Sequence, residues 1–128
     1  MKLLRDTQAF LWFEGADARL SAAARRRIED PRDDKTLSVA SVWEMAIEVG
    51  VGKLRLSRPL AELVQAGAVE KGIPLLAIDA RHAMPVSSLP RHHGAPFDRL
   101  LIAQALQEDL AIVSSDDRFD AYGVRRIR

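Results

Sequence analysis

The chain has 128 residues, of which 48% are hydrophobic and 29% charged, with a formal net charge of +1 and no cysteine. That length suits one domain over residues 1–128 with a real core, and the missing cysteines exclude disulfides, a thiol nucleophile and a thiolate metal site. No apolar run reaches membrane-spanning length and no signal-peptide pattern opens the chain, so a cytoplasmic protein with no membrane partner is expected.

Strand and helix signals alternate along the chain, with no linker or repeat. Lys2 to Arg5 reads as a strand, and Gln8 to Phe13 as an apolar helical stretch. Ser21 caps a helix reaching Glu29, which the loop Asp30-Pro31-Arg32-Asp33-Asp34 ends. Thr36 to Val39 is a brief strand, and a helix follows from Ser41 to Val49, ending near Gly50 and Gly52. Pro59 suits the first turn of a helix that reaches Lys71 and stops at Gly72. Leu75 to Ile78 is a third strand, with Asp79 placed to cap the short helix after it. Pro85 to Pro96, with three prolines and two histidines, reads as a loop. Phe97 to Glu108 is periodic, with Leu100, Leu101, Ala103, Ala105 and Leu106 on its apolar side. Ala111 to Val113 is a fourth strand and Val124 to Ile127 a short edge strand. Repeated βα units with continuously apolar strands define an α/β class: a parallel sheet covered by helices on both faces.

Two strands stop on a carboxylate beside a hydroxyl. Lys2-Leu3-Leu4-Arg5 runs into Asp6-Thr7, and Leu110-Ala111-Ile112-Val113 into Ser114-Ser115-Asp116. The carboxyl ends of parallel strands form the crevice where ligands bind. Glu44 lies one turn into the helix after the second strand, with Glu48 four residues on, and Asp98 opens the long periodic helix. Each position also has an ordinary reading: a turn residue for Asp6, a solvated helix face for Glu44, and helix starts for Asp98 and Asp116. Together they fall where a parallel sheet would gather them, and carboxylates at one point call for a cation.

The chain resembles the PIN-domain ribonucleases, specifically the VapC-type toxins of toxin–antitoxin pairs. The carriers are Leu3-Leu4-Arg5-Asp6-Thr7 with Leu11-Trp12, Ser38 to Ile47, Gly52-Lys53-Leu54-Arg55-Leu56, Pro96 to Ala105, and Val113 to Asp116 with Ala121 to Val124. The resemblance implies a PIN-like three-layer α/β/α fold with a short, mostly parallel sheet of four to five strands. It maps an acidic quartet onto Asp6, Glu44, Asp98 and Asp116, as catalytic residues and as ligands of Mg²⁺, with Mn²⁺ as a substitute. It further implies hydrolysis of RNA by a metal-activated water, a tRNA or rRNA loop as substrate, a homodimer, and inhibition by a cognate VapB-type antitoxin. Thr7, Ser114 and Ser115 are placed to orient a carboxylate or a water.

Four positions depart from the family pattern. Gln8 stands where members often carry histidine, Ala95 where an aspartate often precedes Pro-Phe-Asp, and Glu48 where a basic residue is common. Glu48 either adds to the acidic pocket or pairs with Lys53 or Arg55. Arg5 points away from Asp6 by strand alternation, toward solvent or an acid on a neighbouring helix. Arg99 and Arg118 adjoin the acidic positions, for ion pairing or for phosphate. His92-His93 suits a loop that touches RNA or a partner better than a metal site. The basic clusters Arg25-Arg26-Arg27, Arg91-His92-His93 and Arg125-Arg126-Ile127-Arg128 read equally as a surround for an anionic polymer or as a solvated surface. Trp12 and Trp43 suit a core or a dimer interface. The function expected is therefore a metal-dependent endoribonuclease toxin. The alternatives are a degenerate fold that binds antitoxin or RNA without cutting, and a nuclease acting on DNA.

Overall fold

A computed structural model describes residues 1–92 and 95–128. Five strands form one sheet in the order β3-β2-β1-β4-β5, every neighbouring pair parallel. They are β1 (Lys2–Arg5), β2 (Asp34–Ser38), β3 (Leu75–Leu76), β4 (Ala111–Val113) and β5 (Arg126–Ile127). The helices are α1 (Thr7–Glu14), α2 (Ala22–Glu29), α3 (Val39–Gly50), α4 (Leu60–Val64), α5 (Ala80–Ala83) and α6 (Pro96–Glu108).

Strand alternation distributes the core between two faces of the sheet. Leu3, Ala111 and Val113 pack with Ala9, Leu20, Ala24 and Ile28 of the α1–α2 layer. Leu4 and Ile112 point the other way, onto Leu101, Ile102 and Ala105 of α6 with Phe119 and Val124. A third cluster joins Phe10 and Leu37 to Met45, Leu63 and Ala68, which seats α3 and α4. The result is the expected α/β/α sandwich, with β1 central.

Several boundaries differ from the sequence reading, each for a local reason. The second strand ends at Ser38 and α3 starts at Val39 instead of Ser41, because the Ser38 hydroxyl accepts the Ala40 N–H and caps the helix. Pro59 is the N-cap of α4 rather than part of its first turn, and the helix expected to reach Lys71 widens into a π-turn over Gln65–Val69. There Gly67 lies against α1: a Cβ on it would come 2.9 Å from the Phe10 ring and from the Glu14 carboxyl group. Gly72 does stop the segment, at φ +69°. The third strand is Leu75–Leu76 and the fifth Arg126–Ile127, both shorter than read. Within the expected loop 85–96, Met84–Ser88 forms a 3₁₀ turn and Pro96 is already the first residue of α6. Leu106, assigned to the apolar side of α6, is 48% exposed. The reading of His92-His93 as a contact loop falls partly outside the described residues, since His93 and Gly94 are not among them. His92 itself meets Tyr122 edge-on, with ring centroids 5.3 Å apart.

Arg5 does not reach solvent. It is fully buried on the α1 side, 3.9 Å from Glu14, with its guanidinium over the Phe10 ring and one N–H directed at the Gly67 carbonyl. Glu14 also pairs with Lys71. Burial lowers the Arg5 pKa to about 10, against the raising influence of Glu14.

Candidate active site

The parallel register places the site. Arg5 pairs with Leu37 of β2 and with Val113 of β4. The next residues, Asp6, Ser38 and Ser114, therefore stand in one row at the carboxyl edge of the three central strands. The Asp6 N–H donates to the Val113 carbonyl at 3.1 Å, extending the ladder one step past the strand end.

Asp6 is 8% exposed. Its Oδ1 accepts the Ala9 N–H at 2.7 Å, so it caps α1, and the Ser114 hydroxyl donates to the same carboxylate. Burial raises the Asp6 pKa to about 6; the Ser114 and Ala9 hydrogen bonds oppose the shift, while Asp98 and Asp116 add to it as like charges. Asp98 and Asp116 are thus within electrostatic reach of Asp6. Glu44, on the first turns of α3, is half-buried and accepts the Thr7 hydroxyl at 2.5 Å. Its pKa is raised by burial, lowered by Thr7, and raised again by Asp98 and Glu48. Asp98 lies in the first turn of α6. Asp116 caps the 3₁₀ turn Asp117–Tyr122, accepting the Arg118 N–H, and its own N–H donates to the Ser114 hydroxyl at 3.0 Å. All four acidic positions therefore lie along one edge, with Asp98 acting on Asp6 and Glu44 and Asp116 acting on Asp6.

They are neighbours and not a closed shell. Among the described residues no three Asp, Glu or His side chains are drawn tightly enough to enclose a metal ion. The Arg118 guanidinium holds Asp116 at 2.8 Å. The donors still fit a hard divalent ion. All are oxygens, the central one is buried among like charges, and Mg²⁺ takes one or two carboxylates directly and keeps waters for the rest.

Of the hydroxyls expected to orient the site, Thr7 and Ser114 hold Glu44 and Asp6, whereas Ser115 is exposed. Arg118 forms an ion pair, as expected. Arg99 is buried and donates to backbone carbonyls. Glu48 acts on Glu44 as a like charge and makes no ion pair with Lys53 or Arg55 among the described residues. Two contributors had no role assigned from sequence. Gln104, fully buried on α6, accepts the Ser38 hydroxyl at 2.5 Å and donates to the Ala77 carbonyl at 3.4 Å. That bond ties the start of α3, which carries Glu44, to the helix that carries Asp98. A glutamine amid Leu101, Ile102, Ala103 and Ala105 was the visible signal.

A parallel five-stranded sheet with an acidic carboxyl edge is the arrangement of the PIN domain, and residues 3–124 match that family. The chain belongs to the PIN-domain family. Among characterised relatives it is 28% identical over 127 residues to Ribonuclease VapC22 of Mycobacterium tuberculosis, covering 94% of this chain and 91% of that protein. Its fold matches that in VapBC2 from Rickettsia felis bound to a promoter DNA fragment, with a TM-score of 0.72 at 11% identity over 99% of this chain and 98% of that one. VapBC-1 from nontypeable Haemophilus influenzae matches with a TM-score of 0.68 at 13% identity, over 99% of this chain and 97% of that one.

Proposed function

We propose that the chain is a VapC-type endoribonuclease toxin, dependent on Mg²⁺ or Mn²⁺, with Asp6, Glu44, Asp98 and Asp116 as its acidic machinery. The observation that carries this reading is the buried Asp6 carboxyl at the central strand end, with Asp98 and Asp116 acting on it as like charges. Such a centre costs stability unless a cation and its substrate use it. Asp6 and Asp98 would hold the ion directly or through water, with Asp116 and Glu44 completing the set. When bound, the ion supplies charge stabilisation at phosphorus and lowers the pKa of water. The chain supplies orientation. Ala9 N–H and Ser114 fix the Asp6 carboxylate, Thr7 fixes Glu44, and the Ser38–Gln104 bond holds α3 against α6.

Single-stranded loops of tRNA or rRNA are the substrate class this reading assigns, because their bases are accessible. A cognate VapB-type antitoxin is the assigned partner, in keeping with the relatives that are VapBC complexes. Homodimerisation has a surface to use. Val39, Trp43 and Ile47 recur every fourth residue on α3, are 37%, 56% and 40% exposed, and form one apolar stripe. We assign the protein to the cytoplasm; no helix among the described residues is long and apolar enough to cross a membrane.

Purified protein should cleave RNA with Mg²⁺ or Mn²⁺ and stop in EDTA, and Asp98→Asn should abolish cleavage while the fold persists. Cleavage surviving in Asp98→Asn would sink the reading, and a preference for DNA when both polymers are offered would redirect it. A second reading draws on the Asp116–Arg118 pair, which already neutralises one carboxylate: a binding module that engages antitoxin or RNA without cutting. Absence of divalent binding at millimolar concentration would favour that module.

A further inference from the structure

Arg99 follows Asp98 on α6, yet it turns inward and is 7% exposed. Its Nη2 donates to the Val86 carbonyl at 3.0 Å and the Leu89 carbonyl at 3.1 Å. Its Nη1 donates to the Pro90 carbonyl at 2.9 Å and the Tyr122 hydroxyl at 3.4 Å. One guanidinium thus joins two separate stretches. The first, residues 86–90, leads toward α6. The second is the 3₁₀ turn Asp117–Tyr122, capped by Asp116.

The first turn of α6 needs such a tether. Its N-cap is Ala95, which makes no side-chain cap hydrogen bond, and Pro96 follows. Asp98 sits in that turn, and Asp116 caps the turn at the other end of the Arg99 contacts. A guanidinium presents its donors in a rigid plane and can hold several carbonyls at fixed angles; a lysine ammonium is a single point on a flexible stem.

We propose that Arg99 is a positioning residue for the divalent-cation site: it fixes residues 86–90 and the Asp117–Tyr122 turn against α6, and so sets the separation at which Asp98 and Asp116 share a cation. This rests on the metal-dependent reading above. The role is distinct from phosphate contact, since the guanidinium is buried and engaged with backbone. Outer contacts that orient metal ligands typically govern affinity by about 10- to 100-fold when they are removed.

The test is Mn²⁺ titration by calorimetry, without RNA, on wild type and Arg99→Lys, well below the melting temperature of either. Arg99→Lys should remain folded by circular dichroism and bind Mn²⁺ about ten-fold or more weakly. Equal Mn²⁺ affinity with a lowered melting temperature would mark Arg99 as a purely structural residue and overturn the proposal alone. A wild type that binds no Mn²⁺ would overturn the metal-dependent reading and this proposal together. Should Arg99→Lys not fold, wild type decides by hydrogen exchange. Coupling is reciprocal, so Mn²⁺ must slow amide exchange in residues 86–89 and 117–122. Unchanged exchange in both stretches would overturn the proposal.

Discussion

Replacing Asp6 by Asn should make the metal-free protein more stable, although it removes a residue assigned to the reaction. Asp6 titrates at about 6 in the fold against an ordinary value of 3.8, chiefly because it is buried. A folded pKa above the unfolded one means that the folded state binds the proton more tightly. The contribution is therefore most favourable below about pH 4 and is lost as pH rises to about 6. The gap of roughly two pH units corresponds to about 3 kcal/mol of penalty at pH 8, and to about half of that at pH 5. Asn keeps the side-chain oxygen that caps α1 through the Ala9 N–H, so the helix start survives. Thermal unfolding in EDTA at pH 8 should show Asp6→Asn melting above wild type by about 5–10 °C, and by about half that margin at pH 5. Millimolar Mn²⁺ should raise wild type and leave the variant unmoved, closing or reversing the gap. An Asp6→Asn protein that is no more stable than wild type at pH 8 in EDTA would refute the account of Asp6 as a destabilising buried charge.

Other outcomes follow from the packing around the site. Gly67→Ala should cost about 1–3 kcal/mol in denaturant unfolding, because the new methyl meets the Phe10 ring and the Glu14 carboxyl group at 2.9 Å. Gln104→Leu should lower stability by about 1–3 kcal/mol, since the buried Ser38 hydroxyl loses its acceptor. Its cleavage rate should also fall as α3 and α6 lose their tie, and an unchanged rate would remove Gln104 from the site's support. Trp43→Glu, at a position 56% exposed, should leave stability nearly unchanged and shift sedimentation from dimer to monomer. A dimer that persists would place the interface elsewhere.

The strands and the acidic positions were legible because they follow local rules. Leu3-Leu4 and Ala111-Ile112-Val113 are apolar runs fit for a doubly covered sheet, and register then carries Asp6 and Ser114 to one edge. Glu44 could be placed from helical spacing alone. What escaped the sequence depends on distant partners. The π-turn at Gln65–Val69 exists where Gly67 meets α1, some fifty residues away in sequence, and no local propensity encodes that. Arg5 looked like a misfit in a central strand until Phe10, Glu14 and Gly67 enclosed it. Arg99 read as a residue for ion pairing or for phosphate beside Asp98, since nothing in the helix periodicity shows that carbonyls from residues 86–90 converge on it. Asp116 lies just past the end of β4, and there Arg118 engages it.

The strand order also bears on when the acidic edge can first assemble. The central strand β1 is made first, yet it pairs on one side with β4, so that Leu3 meets Ala111. Contacts between such remote segments form late, because the intervening chain must be ordered before they repay its entropy. During synthesis Asp6 leaves the ribosome more than a hundred residues ahead of Asp116, and the strand that aligns them emerges only just before Asp116 itself. A nascent or truncated chain lacking β4 therefore holds the first acids with no edge to set them against the last. On the proposed ribonuclease reading, that topology leaves the acidic edge unassembled until β4 has been made.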